Sequence, residues 1–386
     1  MKNGFRVLDS DLHTMEPDGL WAEYLEEPFK KFAPQFLRST ERAPNQPVIR
    51  IGDVEIAEFS KRPRTAVVGR SLQERTFARH PHYAVAHARG YDAVTHLEAM
   101  DIEGIDVAVI YGTRGRQVLM HDDLDPHVAA ALARAHNNWT RDFCARDPNR
   151  LKFAAQLAFH DVPSAVAEAR RAVRELGAVA VIGTPNPVRG RHVHDPEMEP
   201  LWTAIEELGV PVGFHPTGQS SLRDDIARRY VDTPNGRVIG VAGRNPIELM
   251  MAFGSMAAGG VLERHPGLRC AFLEGTCGWL PWYLWRLDEA WEKFGPGSEV
   301  QISQLPSQYF FRQCYIATDA DEKPLRQVVE AIGDDNIVVS TDYPHSDGLF
   351  PVAIEEFVRL EGVADKTKAK ILWDNCARLY KLPVNP

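Results

Sequence analysis

The sequence predicts a (β/α)₈ barrel spanning residues 1–386 as one domain, with a long insertion at 18–90 after the first strand. Three observations carry this expectation. Eight short runs rich in β-branched and aliphatic residues alternate with longer amphipathic stretches, as strands alternate with helices. Polar residues suited to chemistry follow several of those runs, and the strand ends are where such a barrel keeps its active site. No glycine-rich phosphate turn follows the first run, which disfavours the runner-up, a doubly wound open sheet.

Taken in order, the strands are expected at 5–8, 105–111, 151–157, 178–182, 211–215, 268–274, 313–318 and 337–341. Helical patterns fall between them at 92–103, 126–146, 162–176, 197–208, 246–264 and 323–332. The interval 18–90 breaks the rhythm with Pro, Arg, Glu and aromatic residues. A stretch of that length reads as a lid, a binding loop or an oligomer contact. A second irregular stretch, 218–245, carries Arg223, Arg228, Arg229 and Arg237; these either meet an anionic substrate or form a solvated charged loop.

Composition narrows the function classes. The chain is 44% hydrophobic and 25% charged, which is ordinary for a globular protein, and its net charge of −9 without a basic stripe argues against nucleic acid. Five scattered cysteines include no CxxC pair, so neither a zinc ribbon nor a disulfide framework is indicated. The N-terminal residues lack the apolar core of a signal peptide and no apolar run has membrane-spanning length, so a cytoplasmic location is expected.

The chemistry concentrates at four strand ends. The first run leads into Asp9, Asp11, His13 and Glu16; side chains alternate along a strand, so Asp9, Asp11 and His13 are expected on one face. The fifth run ends at His215, the sixth at Glu274, and the eighth at Asp342 followed by His345. Carboxylates and imidazoles brought together in this way suit a hard or borderline divalent cation. Each of them alone reads equally well as a cap or a satisfied core group, and Glu16 stays open between ligand and support. The remaining histidines, including His96, His136, His160, His192 and His194, read as structural. Trp279, Trp282, Tyr283 and Trp285 form an aromatic stripe at helical spacing, suited to core or subunit contact or to a substrate wall, and Cys277 reads as structural.

Together, Asp11-Leu-His13-Thr-Met-Glu16-Pro17, Gly213-Phe-His215-Pro, Glu274-Gly-(x)₂-Gly278-Trp279 with Arg286-Leu-Asp288, and Ser340-Thr-Asp342-Tyr-Pro-His345 resemble the amidohydrolase-related family of non-oxidative decarboxylases and hydrolases. The resemblance implies metal ligands at Asp11, His13, His215 and Asp342, with Asp342 also handling a proton, and a homo-oligomer. The chain departs from the family habit at Met15, where many members carry a second histidine, and at Glu274, where a histidine is usual. No lysine ends the fourth strand. Replacing imidazole by carboxylate hardens the donor set and moves its preference from zinc toward manganese or iron. On this basis the chain is similar to a branch of the family that works in diterpenoid antibiotic biosynthesis as a diiron monooxygenase. The expectation is therefore an iron enzyme using dioxygen on a bulky carboxylic acid or its acyl thioester. Asp11, His13, His215, Glu274, Asp342 and His345 would hold metal, with Asp342, Glu274 and His345 catalytic. The alternative is a manganese or zinc hydrolase or non-oxidative decarboxylase.

Overall fold

The computed structural model describes residues 1–39, 46–57, 77–217, 226–230 and 233–382. Its strands are β1 (Leu8–Thr14), β2 (Gln35–Ser39), β3 (Gln46–Ile51), β4 (Val54–Ala57), β5 (Val107–Gly112), β6 (Leu151–Gln156), β7 (Ala180–Gly183), β8 (Val212–Phe214), β9 (Cys270–Phe272), β10 (Cys314–Asp319) and β11 (Ile337–Ser340). Eight of them form one parallel sheet in the order β1-β5-β6-β7-β8-β9-β10-β11, with helices between successive strands: the expected barrel.

The sheet comes round on itself at a seam between β11 and β1. Ser10 Oγ donates to the Val339 carbonyl at 2.6 Å, Ser340 Oγ donates to the Asp11 carbonyl at 3.2 Å, and the His13 amide donates to the Tyr343 carbonyl at 2.8 Å. The Thr341 hydroxyl donates to the buried Asp9 carboxylate. These bonds explain why the first strand lies at Leu8–Thr14 and not at 5–8: the polar residues are the strand, because the seam satisfies them. They also correct the expected shared face. The β1–β5 register shifts between Asp9 and Leu12, so strict alternation fails, and Asp9 serves the seam while Asp11 and His13 face the site.

The core lies between sheet and helices. Trp202, Phe214, Phe253 and Phe272 are buried together, with the Phe214 and Phe272 rings stacked at 5.6 Å. Full burial of a side chain of this kind stabilises by roughly 1.5–3 kcal/mol relative to exposure. The helices start where their caps allow. The carboxylates of Asp92, Asp125 and Asp161 accept amide hydrogens in the first turns of Ala93–Glu103, Pro126–Cys144 and Val162–Arg174. One helix differs from expectation: Gly236–Ala258 begins ten residues before Pro246, which sits inside it.

Within 18–90, β2, β3 and β4 form a separate antiparallel sheet. Ile49 and Ile51, with Leu20, Trp21 and Leu25, pack on Val118, Leu119, Val128 and Leu132 of the barrel's outer helices. Residues 40–45 and 58–76 of this stretch lie outside the described residues, as do Arg223 and the side chains of Arg228 and Arg237; Arg229 is exposed. All five cysteines are buried and free. Among the described residues, no helix is long and apolar enough to cross a membrane.

Candidate metal centre

Four strand ends meet at one point. Donor atoms of Asp11, His13, His215 and Glu274 all lie within 4.8 Å of one another, and a second group, His13, Glu274, Asp342 and His345, shares two members with the first. His215 Nε2 is 2.9 Å from Glu274 Oε2, 3.2 Å from Asp11 Oδ2 and 3.3 Å from His13 Nε2. His13 Nε2 is 3.2 Å from Asp342 Oδ1. The six residues singled out from the sequence are thus brought together: Asp11 and His13 lie within β1, and His215, Glu274, Asp342 and His345 follow the ends of β8, β9 and β11.

The backbone is bent to achieve this. Glu274 and Asp342, just beyond β9 and β11, hold φ values of 54° and 57°, in the left-handed region that residues other than glycine enter uncommonly. The Asn245 side-chain amide donates to the Glu274 carbonyl at 2.8 Å and fixes that turn. The His13 and His345 rings stack at 4.2 Å.

Electrostatics identify what the cluster lacks. Both carboxylate oxygens of Asp11 and Oε2 of Glu274 are buried without a hydrogen-bond partner. Burial pushes the Asp11 carboxyl up to about 6, Glu274 adding to the push against the pull of His13. Burial likewise lifts Asp342 to about 7, with Glu274 repelling it and His345 pulling it down. Burial also opposes ionisation of Glu274, but the nearby His13 ring and the charge of Arg116 hold it down at about 2. Burial, then the charge of His345, lowers His13. His345 itself would be depressed by burial, yet Asp342 beside it holds it up at about 9. Crowded carboxylates with orphaned oxygens beside two imidazole nitrogens are a donor set that a divalent cation would satisfy, so the residues fit such an ion.

Glu16 does not join the cluster. Its carboxylate accepts the amide hydrogens of Thr113 at 3.0 Å, Arg114 at 2.8 Å and Gly115 at 3.3 Å, and bonds His136 Nε2 at 2.9 Å. Burial opposes its charge, but these partners, His136 foremost, hold its carboxyl down at about 2. Sequence reasoning set aside His96 and His136 as structural and passed over Thr113 and Arg116. His96 Nε2 bonds the carbonyl of His13 at 2.8 Å, and the buried Arg116 lies against His215 Nδ1 and donates to the Pro216 carbonyl at 3.1 Å. Thr113 and Arg116 follow β5, whose end carries no acidic or imidazole signal. Cys277 is buried with its thiol pushed up by burial and by Glu322, in keeping with a structural role. Of the aromatic stripe, Tyr283 is core, whereas Trp282 and Trp285 are exposed.

Two cavities flank the centre. One of about 660 Å³ is lined by His345, Arg114, Met15 and the aromatic residues Phe77, His87 and Tyr91. Another of about 270 Å³ is lined by Glu274, Asp342, Asn245 and Asp319, and Asp347 borders both.

Comparison with known proteins bears on this geometry. A family model described as Amidohydrolase matches residues 77–382. The gamma-resorcylate decarboxylase of Rhizobium sp. (strain MTP-10005) is 27% identical over 75% of this chain and 86% of its own length. The 2-amino-3-carboxymuconate-6-semialdehyde decarboxylase of Dictyostelium discoideum is 24% identical over 76% and 78%. Among solved structures, an amidohydrolase of Mycobacterium avium subsp. paratuberculosis K-10 superposes with a TM-score of 0.76 at 25% identity, covering 98% of this chain and 99% of that one. A dihydroxybenzoic acid decarboxylase from Polaromonas sp. JS666 with bound manganese superposes with a TM-score of 0.65 at 20% identity, covering 98% and 97%.

These relatives overturn the expected iron monooxygenase. The curated relatives that align with most of the chain are decarboxylases, and neither dioxygen chemistry nor closeness to the diiron branch finds support among them. The inference failed at a physical step: a hard, oxygen-rich donor set suits manganese as well as iron, so ligand hardness does not select redox chemistry.

Proposed function

The chain belongs to the amidohydrolase family, and from that premise we propose that it is a divalent-metal-dependent, non-oxidative decarboxylase acting on a small aromatic carboxylic acid. The observation that carries this reading is the convergence of Asp11, His13, His215 and Glu274 on one point, with the Asp342–His345 pair beside them, in a chain whose relatives are decarboxylases. Manganese is the first choice of metal, because the donors mix imidazole with hard carboxylate oxygen.

Asp11, His13, His215 and Glu274 hold the ion in this reading, with Asp342 adjoining through His13. A divalent cation bound there supplies Lewis-acid polarisation and a fixed anchor for substrate oxygens. The chain's own residues then manage a proton. In decarboxylation the bond between the ring carbon and the carboxylate carbon breaks and carbon dioxide leaves. The bonding electron pair stays on the ring carbon, which takes up a proton. His345 Nδ1 lies 2.7 Å from Asp342 Oδ1, so these two side chains share a proton at the mouth of the site. From that pair Asp342 delivers it to the ring carbon, and solvent reaching His345 restores it.

The reacting end of the substrate faces Glu274 and Asp342, which line the smaller cavity, and its body extends past His345 into the 660 Å³ cavity. Phe77 meets His87 edge-on at 5.2 Å and His87 meets Tyr91 edge-on at 6.2 Å, forming an aromatic wall on the rim beside His345. The volume falls within the roughly 300–1,000 Å³ of pockets that enclose drug-sized molecules. Incubating manganese-loaded protein with a panel of hydroxylated benzoic acids and following carbon dioxide release tests the proposal. Release from at least one member, lost on chelation, is expected; hydrolysis of amides or esters without any such release would refute it.

A further inference from the structure

Thr113 occupies the turn between β5 and the helix Arg114–Leu119, and its Oγ1 lies 2.9 Å from His345 Nε2. The other nitrogen of that ring, Nδ1, is the one facing Asp342. The imidazole is therefore gripped at both ends, by a carboxylate on one side and a hydroxyl on the other. A hydroxyl both donates and accepts. With Nδ1 held by Asp342 and Nε2 by this hydroxyl, only one ring orientation keeps both contacts.

The Thr113 turn is itself clamped from beneath. Glu16, buried at 1% exposure, accepts the amide hydrogens of Thr113, Arg114 and Gly115, and its Oε1 is bonded by the fully buried His136. Gly112 and Gly115 bracket the turn on either side, and a Cβ at either position would overlap the His136 ring. The ring thus sits against the backbone that presents Thr113, and only glycine at those two positions allows the approach. His136, Glu16, Thr113, His345 and Asp342 form one connected series of polar contacts, from the helix Pro126–Cys144 to the metal centre.

We infer that Thr113 is a positioning residue for His345, and that the Glu16–His136 pair exists to hold the Thr113 turn in place. Two consequences separate this from a merely structural contact. The hydroxyl matters and the shape does not, so Thr113→Ser should retain what Thr113→Val loses. The loss should appear in turnover and not in substrate or metal binding, because Thr113 reaches neither group.

The inference rests on the decarboxylase reading for its kinetic arm, so the experiment carries a second arm that needs no activity. In the kinetic arm, Thr113→Val is expected to lower kcat by about ten- to a hundredfold, the range seen for residues that orient active-site groups from behind. Its KM and metal content should stay within twofold of the parent, and Thr113→Ser should return to within about threefold of the parent kcat. In the second arm, histidine ring carbons are labelled and followed by NMR in the metal-free protein, with the His345 signals assigned by their disappearance in His345→Asn. Those signals should move or broaden in Thr113→Val and in Glu16→Gln but not in Thr113→Ser. If Val crowds the turn enough to unfold the protein, Thr113→Ala makes the same comparison. Unchanged His345 signals in Thr113→Val, or a Ser variant as impaired as Val, would overturn the inference. A shifted His345 signal in protein that decarboxylates nothing would uphold the positioning role and reject the reaction instead.

Discussion

Oε2 of Glu274 lies 2.9 Å from Nε2 of His215, and both belong to a set of donor atoms within 4.8 Å of one another. That carboxylate oxygen has no hydrogen-bond partner although it is buried, which is the arrangement of two donors facing a shared third partner. Glu274→Ala should therefore weaken metal binding, while the fold survives because the strand end stays anchored by Asn245 through the backbone carbonyl. Metal titration should give an affinity at least about tenfold below the parent. Manganese should also raise the melting temperature of the parent more than that of the variant, since a ligand at about 100 times its Kd stabilises by roughly 2.7 kcal/mol. Equal affinities would remove Glu274 from the ligand set.

Glu16 ties acid stability to the site. Its folded carboxyl is held at about 2 against an ordinary value of 4.5. A depressed carboxyl contributes stability that is fully present above the unfolded value and is lost as pH falls through the folded one, here between about 4.5 and 2. Glu16→Gln should thus cost about 3 kcal/mol at pH 7, and the gap between variant and parent should close on acidification to pH 2. Urea unfolding at several pH values measures this; a gap that is the same at every pH would contradict it.

The aromatic rim predicts a binding phenotype. Tyr91→Ala or Phe77→Ala removes part of the wall lining the 660 Å³ cavity without touching the metal centre. KM should rise about tenfold, with kcat within about twofold, the pattern of an interaction made equally in the ground and transition states. Steady-state kinetics on a reacting acid decide it, and a fall in kcat at constant KM would place the substrate elsewhere.

The seam predicts a cost in stability alone. Ser10 Oγ donates to the Val339 carbonyl in the barrel interior, so Ser10→Ala leaves a buried acceptor short of a donor, at about 1–3 kcal/mol. Thermal unfolding should shift accordingly, with metal content unchanged. An unshifted transition would show that the seam closes without this bond.

The barrel was legible because each strand run is short, apolar and flanked by amphipathic helices, and all eight reappear within a few residues, apart from the first. That strand was misplaced because Asp9, Ser10, Asp11 and His13 look like the end of a strand, when they form one by bonding across the seam. The six clustered residues were legible since their types and their places at strand ends both point to metal. Thr113, Arg116, His96 and His136 were not. They act through backbone carbonyls, amides or the far side of an imidazole, and such contacts leave no spacing pattern to read. The reaction was misread for a related reason, since donor hardness constrains the metal and leaves the chemistry open.

The central claim is redox-neutral loss of carbon dioxide at this metal centre. Its most direct test is to measure carbon dioxide released per substrate consumed by manganese-loaded protein, under nitrogen and under air, with oxygen uptake followed in parallel. One carbon dioxide is expected for each substrate consumed, at the same rate in both atmospheres and with no oxygen uptake. Turnover that stops under nitrogen, or that consumes oxygen in proportion to product, would contradict it.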